Sequence, residues 1–228
     1  MPDYYIGVHL RAAEAARVRQ AVADVFRGRG FTLIADNPAS VVAEDDDALP
    51  EGDDWYGVVV SGPSGAGWVS VYVDDWADSG LLARELSRTL EVPALEIWVA
   101  EDVHWGCTCF LQGDVQGRFA DAPDTVADTP EEAAAYAGDA AAFAAVLTAP
   151  PAQLQAAFAA AQGAAGTFAG PGVDALCQAV GLPFEHAFTG YEFFFSDDPD
   201  DYGPSLHGWK QFRHLSFRPP AGRATLVE

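Results

Sequence analysis

The stretch YGVVVSGPSGAGWVSVYV, residues 56–73, decides the class of fold. Two runs rich in β-branched and aromatic residues, 56–60 and 68–73, flank a cluster of serine, glycine and proline. This pattern is typical of a β-hairpin, because the flanking side chains favour extended backbone and the residues between them allow the chain to reverse. The sequence therefore predicts an antiparallel pair of strands in the first half of the chain.

The spacing of apolar residues predicts further elements on both sides of this hairpin. Before it we expect a strand at 4–10, a helix at 11–27, a strand at 31–35 and an acidic loop at 36–54. After it we expect a helix that begins near Ser79, a strand at 94–99, and a second hairpin formed by 104–111 and 115–119. The mixture indicates an α+β fold, an antiparallel sheet with helices packed on one face.

The composition changes after residue 125. Thr129-Pro130-Glu131-Glu132 is typical of a helix start, with Thr129 as the N-cap and Pro130 at the first helical position. Alanine then dominates to about residue 169, and Pro150-Pro151 must interrupt the helix. We expect an α+β sheet domain at 1–125, an Ala-rich helical C-terminal subdomain at 126–190, and an aromatic and basic tail at 191–228 that packs on the body of one compact unit.

The strongest property of the chain is its charge. It carries 34 Asp and Glu against 12 Lys and Arg, a formal net charge of -22. A body this acidic repels DNA, RNA and anionic membranes unless a basic patch is segregated from the rest, so we expect none of these as partners. The single lysine and the abundant alanine, glycine and arginine indicate a GC-rich bacterial or archaeal genome. The acidic excess itself is open to three explanations: salt adaptation, a cationic partner, or solubility.

The first residues lack a basic region and a long apolar stretch, so the sequence predicts no signal peptide. No apolar run approaches the length of about 20 residues that spans a bilayer. Three cysteines are an odd number without the spacing of a disulfide framework. We therefore expect a cytoplasmic protein with reduced thiols.

One segment resembles a metal site at first inspection. His104, Cys107 and Cys109 lie close together in the sequence, and zinc takes both residue types as ligands. On a strand, however, Cys107 and Cys109 share one face while His104 lies on the other. A pair of buried core cysteines is the favoured interpretation, with a metal site as the alternative.

Two acidic clusters are candidate patches. The first contains Asp74, Asp75 and Asp78, between a strand and a helix, where carboxylates either serve acid–base chemistry or stabilise the helix N-terminus. The second follows the aromatic run Phe193-Phe194-Phe195 and consists of Asp197, Asp198, Asp200 and Asp201. Its spacing lacks the alternating ligands of an EF-hand, so we interpret it as a solvated loop.

The tail reverses the charge of the body, and we expect a strand in it at 211–217. Residues 202–227 contain no acidic side chain, and the candidate interaction residues there are Lys210, Arg213, His214 and Arg218. The favoured interpretation is that the tail folds back on its own acidic body, with Trp209, Phe212 and Phe217 packed inside. The alternative is a docking segment for an acidic partner or for a second copy of the chain.

No motif indicates a cofactor or a catalytic residue, and we expect neither. The element order of the first half is similar in layout to type III secretion chaperone-like folds, a similarity that concerns the fold alone. The first functional hypothesis is a non-catalytic protein-binding or chaperone-like module; its protein partner is unknown, and a basic partner and a homodimer both stay open. The alternatives are an acidic inhibitor that mimics nucleic acid, which predicts salt-dependent association, and a metal-dependent hydrolase.

Overall fold

The computed structural model describes residues 4–11, 14–44, 55–64, 67–194, 208–221 and 225–226. The strands in this part of the chain are β1 (Tyr4–Arg11), β2 (Thr32–Pro38), β3 (Tyr56–Val60), β4 (Trp68–Val73), β5 (Ala94–Ala100), β6 (His104–Leu111), β7 (Asp114–Ala120) and β8 (Arg213–Arg218). The helices are α1 (Ala15–Gly28), α2 (Ala39–Glu44), α3 (Ser79–Leu90), α4 (Pro123–Val126), α5 (Pro130–Ala135), α6 (Ala140–Leu147), α7 (Pro151–Gly163), α8 (Gly170–Val180) and α9 (Phe184–Ala187).

All eight described strands join one sheet in the order β2-β8-β3-β4-β1-β5-β6-β7. Every neighbouring pair is antiparallel. Both predicted hairpins are present, as β3–β4 and β6–β7, and the α+β fold class is confirmed. The strand predicted in the tail is β8, which lies between β2 and β3 inside the sheet.

Helices cover both faces of this sheet. On one face, which we call the front face, α1 and α3 pack on apolar side chains such as Ile6, Val8 and Leu10. On the opposite face, the back face, the Ala-rich helices α6, α7 and α8 pack on β5, β6 and β7. The helices that we expected on one face are therefore α1 and α3. The Ala-rich helices form a second layer on the back face, where they share a hydrophobic core with the strands.

Aromatic rings join the Ala-rich helices to the back face. The ring of Phe119 on β7 stacks on that of Phe158 on α7, with centroids 4.3 Å apart. Phe143 on α6 meets the same Phe158 ring edge-on at 5.2 Å. The small alanine side chains allow the helices to approach one another, while these few large rings fill the space above the strands.

One local difference from the sequence expectations has a clear cause. Helix α2 lies within the segment predicted to be a loop, and its Ala39 and Val42 are buried. The N–H of Ala39 donates to the carbonyl of Phe212, a contact with a residue distant in the sequence. Thr129 does cap α5 as predicted, since its hydroxyl accepts a hydrogen bond from the N–H of Glu132.

Within the described residues, no helix is both long and apolar enough to cross a bilayer.

Candidate functional site: an aromatic cleft around Glu96

The candidate site is an open cleft of about 700 Å³ on the front face of the sheet. Strand register builds its floor in three successive rows across β1, β5, β6 and β7. The rows are Val8–Glu96–Thr108–Arg118, Ile6–Trp98–Gly106–Ala120 and Tyr4–Ala100–His104. Because side chains alternate along a strand, alternate residues of each strand project from this same face.

The walls come from the ends of elements. Ala77, Ser79 and Gly80 bring the N-terminal end of α3 to one side of the cleft. Thr125 and Val126 of α4, followed by Tyr136, form the other side. Helix α3 thus covers only part of the front face, and the floor beyond its first turn stays accessible.

Glycine at position 106 shapes the floor. A Cβ added to Gly106 would lie 2.4 Å from the indole atom Cζ2 of Trp98 and 2.6 Å from the carbonyl oxygen of Phe119. Only a residue without a side chain leaves room for the indole ring in this place. In the strand register, the row of Trp98 and Gly106 lies between the row of Glu96 and the row of His104.

Glu96 is the polar centre of the cleft. The hydroxyl of Ser79 donates a hydrogen bond of 2.5 Å to Oε1 of Glu96, and Thr108 donates a second hydrogen bond to the carboxyl group. Burial raises the pKa of Glu96, because desolvation penalises the charged form; the two hydroxyls and the charge of Arg118 act in the opposite direction. A carboxyl group with a raised pKa on the floor of a cleft marks a candidate for ligand binding or proton transfer.

Aromatic and apolar side chains form the rim. Tyr4 is 52% exposed and Val126 is 38% exposed, although both are large apolar or aromatic residues. Tyr136 also lines the cleft, and the guanidinium carbon of Arg118 lies 5.8 Å from the centroid of its ring. This distance is within the range of a cation–π interaction.

His104 lines the opposite end of the cleft. Its Nδ1 lies 3.6 Å from Oδ2 of Asp121, which is too long for a hydrogen bond. The other oxygen of Asp121 accepts a hydrogen bond of 3.2 Å from the N–H of Trp105. Among the described residues, the buried Nδ1 of His104 has no hydrogen-bond partner.

The two cysteines of the candidate metal site lie on the other face of the sheet. Cys107 and Cys109 are fully buried in the back-face core, as strand alternation predicts, whereas His104 belongs to the front face. Burial raises the pKa of the Cys107 thiol and raises that of Cys109 to about 12, so both are protonated. In the described part of the chain, no group of three His, Cys, Asp or Glu side chains is arranged to hold a metal ion.

The acidic cluster before α3 does not converge on one point. The Oδ1 of Asp75 accepts a hydrogen bond from the N–H of Ala77 in a local turn. Asp78 is buried, and its Oδ2 accepts a hydrogen bond of 2.6 Å from the N–H of Leu226. Asp74 is exposed. The second acidic patch, which contains Asp197, Asp198, Asp200 and Asp201, lies outside the described residues.

The tail residues are part of the sheet or of the turn before it. The Nε of Arg213 lies 2.7 Å from Oδ1 of Asp36 on β2, and His214 is fully buried, so His214 cannot belong to an accessible docking surface. Arg218 is exposed at the end of β8. Lys210 lies in the 3₁₀ turn Trp209–Gln211, and its side chain is outside the described part of the chain. Within its described residues, the tail contributes β8 to the sheet.

A buried polar network on the back face is absent from the sequence expectations. The Oγ of Ser70 lies 2.9 Å from Nδ1 of His9 and 3.0 Å from Nδ1 of His186. The hydroxyl of Tyr72 donates to the carbonyl oxygen of His186. A serine beside an imidazole can act as a nucleophile, but Ser70 and His9 are fully buried, so no substrate reaches them. We assign the network a structural role.

Comparison with known proteins gives no assignment: no family model, no curated protein and no solved structure matches this chain. The similarity to type III secretion chaperone-like folds is therefore one of element order alone. The functional argument rests on the chemistry of the cleft.

Proposed function

We propose that this protein is a non-catalytic binding protein that receives a basic side chain of a protein partner in the Glu96 cleft. One observation carries the proposal: the carboxyl group of Glu96 lies on the floor of an open cleft that the aromatic residues Tyr4, Trp98 and Tyr136 also line. A cation placed there gains both a carboxylate and the faces of aromatic rings.

The charge of the whole molecule supports a basic partner. A net charge of -22 creates a negative potential that attracts cations and steers a basic protein towards the surface. The partially desolvated Glu96 then provides a local contact that is stronger than one with a fully hydrated carboxylate. Long-range attraction and local recognition therefore favour the same kind of ligand.

The rim supports a protein rather than a small molecule. Tyr4 and Val126 extend exposed apolar surface beyond the cleft, so a ligand that fills only the cleft leaves them uncovered. Tyrosine is enriched in protein interfaces, where it buries a ring and keeps its hydroxyl hydrated. A protein partner that inserts one basic side chain into the cleft can also cover the exposed apolar rim.

Selection from a random heptapeptide phage library tests the proposal. The wild-type protein should enrich peptides that contain a basic residue, and the Glu96→Gln and Tyr4→Ala variants should lose this enrichment. Glu85→Gln is the matched control, because Glu85 is a carboxylate on α3 that pairs with Arg88 away from the cleft. Enrichment of peptides without a basic residue, or enrichment that survives Glu96→Gln, would contradict the proposal.

The same substitution separates this proposal from an acidic inhibitor that mimics nucleic acid. Glu96→Gln changes the net charge from -22 to -21, which leaves the overall field almost unchanged. Binding of a basic nucleic-acid-binding protein through the general field should therefore survive Glu96→Gln and fall steeply with added salt. Binding through the cleft should fail in that variant at every salt concentration.

Acid–base catalysis is the second candidate function, and the raised pKa of Glu96 favours it. A carboxyl group that stays protonated to higher pH can give a proton to a leaving group, and Ser79 holds it in position. Hydrolysis of a panel of nitrophenyl esters, phosphates and glycosides tests this function. If the wild-type protein hydrolyses a compound, and Glu96→Gln abolishes this activity while Glu85→Gln preserves it, catalysis would replace the non-catalytic proposal. If the wild-type rate does not exceed that of Glu96→Gln, this chemistry is excluded for the compounds of the panel.

A further inference from the structure

Arg118 is the basic residue whose charge acts on the carboxyl group of the cleft. It belongs to the same row of the floor as Glu96, with Thr108 between them. Neighbouring strands lie about 4.8 Å apart, so the two backbones are separated by about 10 Å, a span that an arginine and a glutamate side chain can bridge. The charge of Arg118 accordingly acts on Glu96 and opposes the rise of its pKa.

The ring of Tyr136 is fixed in position beside Arg118. The N–H of Ala120 donates to the carbonyl of Tyr136 at 3.0 Å, and the N–H of Gly138 donates to the carbonyl of Arg118 at 3.1 Å. These two hydrogen bonds attach the segment that carries Tyr136 to the edge strand β7. The guanidinium carbon of Arg118 then lies 5.8 Å from the ring centroid of Tyr136, a residue that also lines the cleft.

Arg118 is held in this place only weakly. In the described part of the chain, no carboxylate lies within ion-pair distance of its guanidinium group, in contrast to Arg88 with Glu85 and Arg213 with Asp36. The side chain is half-buried, so water competes for its N–H groups. A ligand can therefore displace it without breaking a salt bridge.

We infer that the cleft selects arginine over lysine, and that Arg118 occupies the guanidinium position until a partner's arginine replaces it. The inference rests on the proposed function and names the chemistry of the ligand. A guanidinium is planar, stacks on an aromatic face and presents several N–H donors, so it can contact Tyr136 and Glu96 together. An ammonium group is a compact, strongly hydrated charge that does not stack. Arg118 shows that a guanidinium fits against Tyr136.

Titration of the protein with N-acetylarginine amide and N-acetyllysine amide, followed by NMR chemical shifts, tests the inference. We expect the arginine compound to bind at least about threefold more tightly than the lysine compound. We expect Arg118→Gln to raise the affinity for the arginine compound about three- to tenfold, because the internal competitor is gone. Glu96→Gln should abolish binding of both compounds, and Glu85→Gln should change neither.

Arg118→Lys separates competition from charge repulsion, because it keeps the charge and removes the stacked guanidinium. A gain in affinity in Arg118→Lys supports competition for Tyr136, whereas a gain confined to Arg118→Gln overturns that part of the inference. Equal binding of the two compounds leaves the proposed function intact and overturns the selection of arginine. Binding of neither compound to any variant contradicts the proposed function itself. The amide spectrum of each free variant verifies that it is folded.

Discussion

Gly106 shows how one residue sets the shape of the cleft. Any side chain at this position would meet both the indole ring of Trp98 and the backbone carbonyl of Phe119, and the carbonyl cannot move without disturbing β7. We predict that Gly106→Ala lowers the free energy of unfolding by about 1–3 kcal/mol, the usual cost of overpacking. It should also weaken ligand binding, because Trp98 has to leave the floor.

Urea denaturation measures this loss, and Gly28→Ala is its control. Gly28 is the last residue of α1, and a Cβ added there meets nothing within 4 Å. The control should leave stability unchanged or raise it by a few tenths to about 1 kcal/mol, since alanine favours helix over glycine. Equal effects of the two substitutions would mean that Gly106 is not required to accommodate Trp98.

Glu96 makes a testable contribution to the pH dependence of stability. Its pKa is raised in the folded protein above the ordinary value of 4.5, so the folded state holds the proton over a range in which the unfolded state has lost it. The stabilising contribution is complete below pH 4.5 and is lost as the pH rises to the folded pKa. We predict that wild-type stability relative to Glu96→Gln falls across this window and is constant on both sides of it.

Chemical denaturation of both proteins from pH 4 to pH 8 measures the difference. Subtracting the Glu96→Gln profile removes the contributions of the other titrating groups, provided that they are far from Glu96. If the difference in unfolding free energy between the two proteins rises with pH, Glu96 has a lowered pKa. If this difference is independent of pH, the pKa of Glu96 is unperturbed. Either result would remove the basis for an acid–base role.

Glu96 also shows why residue-level function was hard to predict. The alternation of Leu95, Ile97 and Val99 correctly predicts one buried face of β5, but it leaves Glu96 on what looks like an ordinary polar face. Only the register with Thr108 and the approach of Ser79 reveal that this carboxyl group is desolvated. The signal present in the sequence was a glutamate and a tryptophan two residues apart on the same face of a strand.

At the scale of elements, local patterns identified most strands and helices but not their neighbours. The strand predicted at 211–217 exists as β8, and the sequence pattern gives no indication that it pairs with both β2 and β3. Those pairings join residues that are more than 150 positions apart, and they depend on the complete sheet rather than on local propensity. Helix α2 was missed for the same reason, since its buried side and its contact with Phe212 are both tertiary.

The position of β8 leads to a prediction about the tail. The ring of Phe217 is fully buried and stacks on Phe26 of α1 with centroids 4.2 Å apart. We predict that Phe217→Ala lowers the free energy of unfolding by about 3–5 kcal/mol, through lost burial and the cavity that remains. Thermal and urea unfolding measure the effect.

Arg218→Ala is the control for Phe217→Ala, because Arg218 is the next residue on β8 and its side chain is exposed. This change should stay within about 0.5 kcal/mol of wild type. If Phe217→Ala is as stable as Arg218→Ala, β8 does not belong to the core in solution, and the tail would again be available as a docking segment.

At the scale of the whole molecule, the sheet separates two different interiors. The buried polar groups of the front face include Ser79 and Thr108, which contact Glu96, whereas the buried imidazoles of His9 and His186 lie on the back face with Ser70. The composition gives no indication of this division, because the histidines are far apart in the sequence. Strand register brings His9 opposite Ser70 and His214 opposite Val59.

Three of the histidines in the described part of the chain are buried, and they make the whole molecule sensitive to acid. Burial lowers the pKa of His9 to about 3 and that of His214 to about 4, and it also lowers the pKa of His186. Each neutral histidine contributes stability that is complete above the ordinary pKa of 6.5 and is lost as the pH falls towards the folded value. We predict that the unfolding free energy decreases below pH 6 by up to about 1.4 kcal/mol per pH unit for each histidine.

Denaturation as a function of pH gives the number of protons that the protein takes up on unfolding. The substitution His9→Gln should reduce this number by about one between pH 4 and pH 6. Glutamine can keep the hydrogen bond to Ser70 but cannot take up a proton. If the variant is too unstable to measure, the imidazole signals of the wild-type protein provide a second test. A His9 or His214 ring that titrates near pH 6.5 in the folded protein would show that the back-face network is open to water, and Ser70 would then have to be reconsidered as a nucleophile.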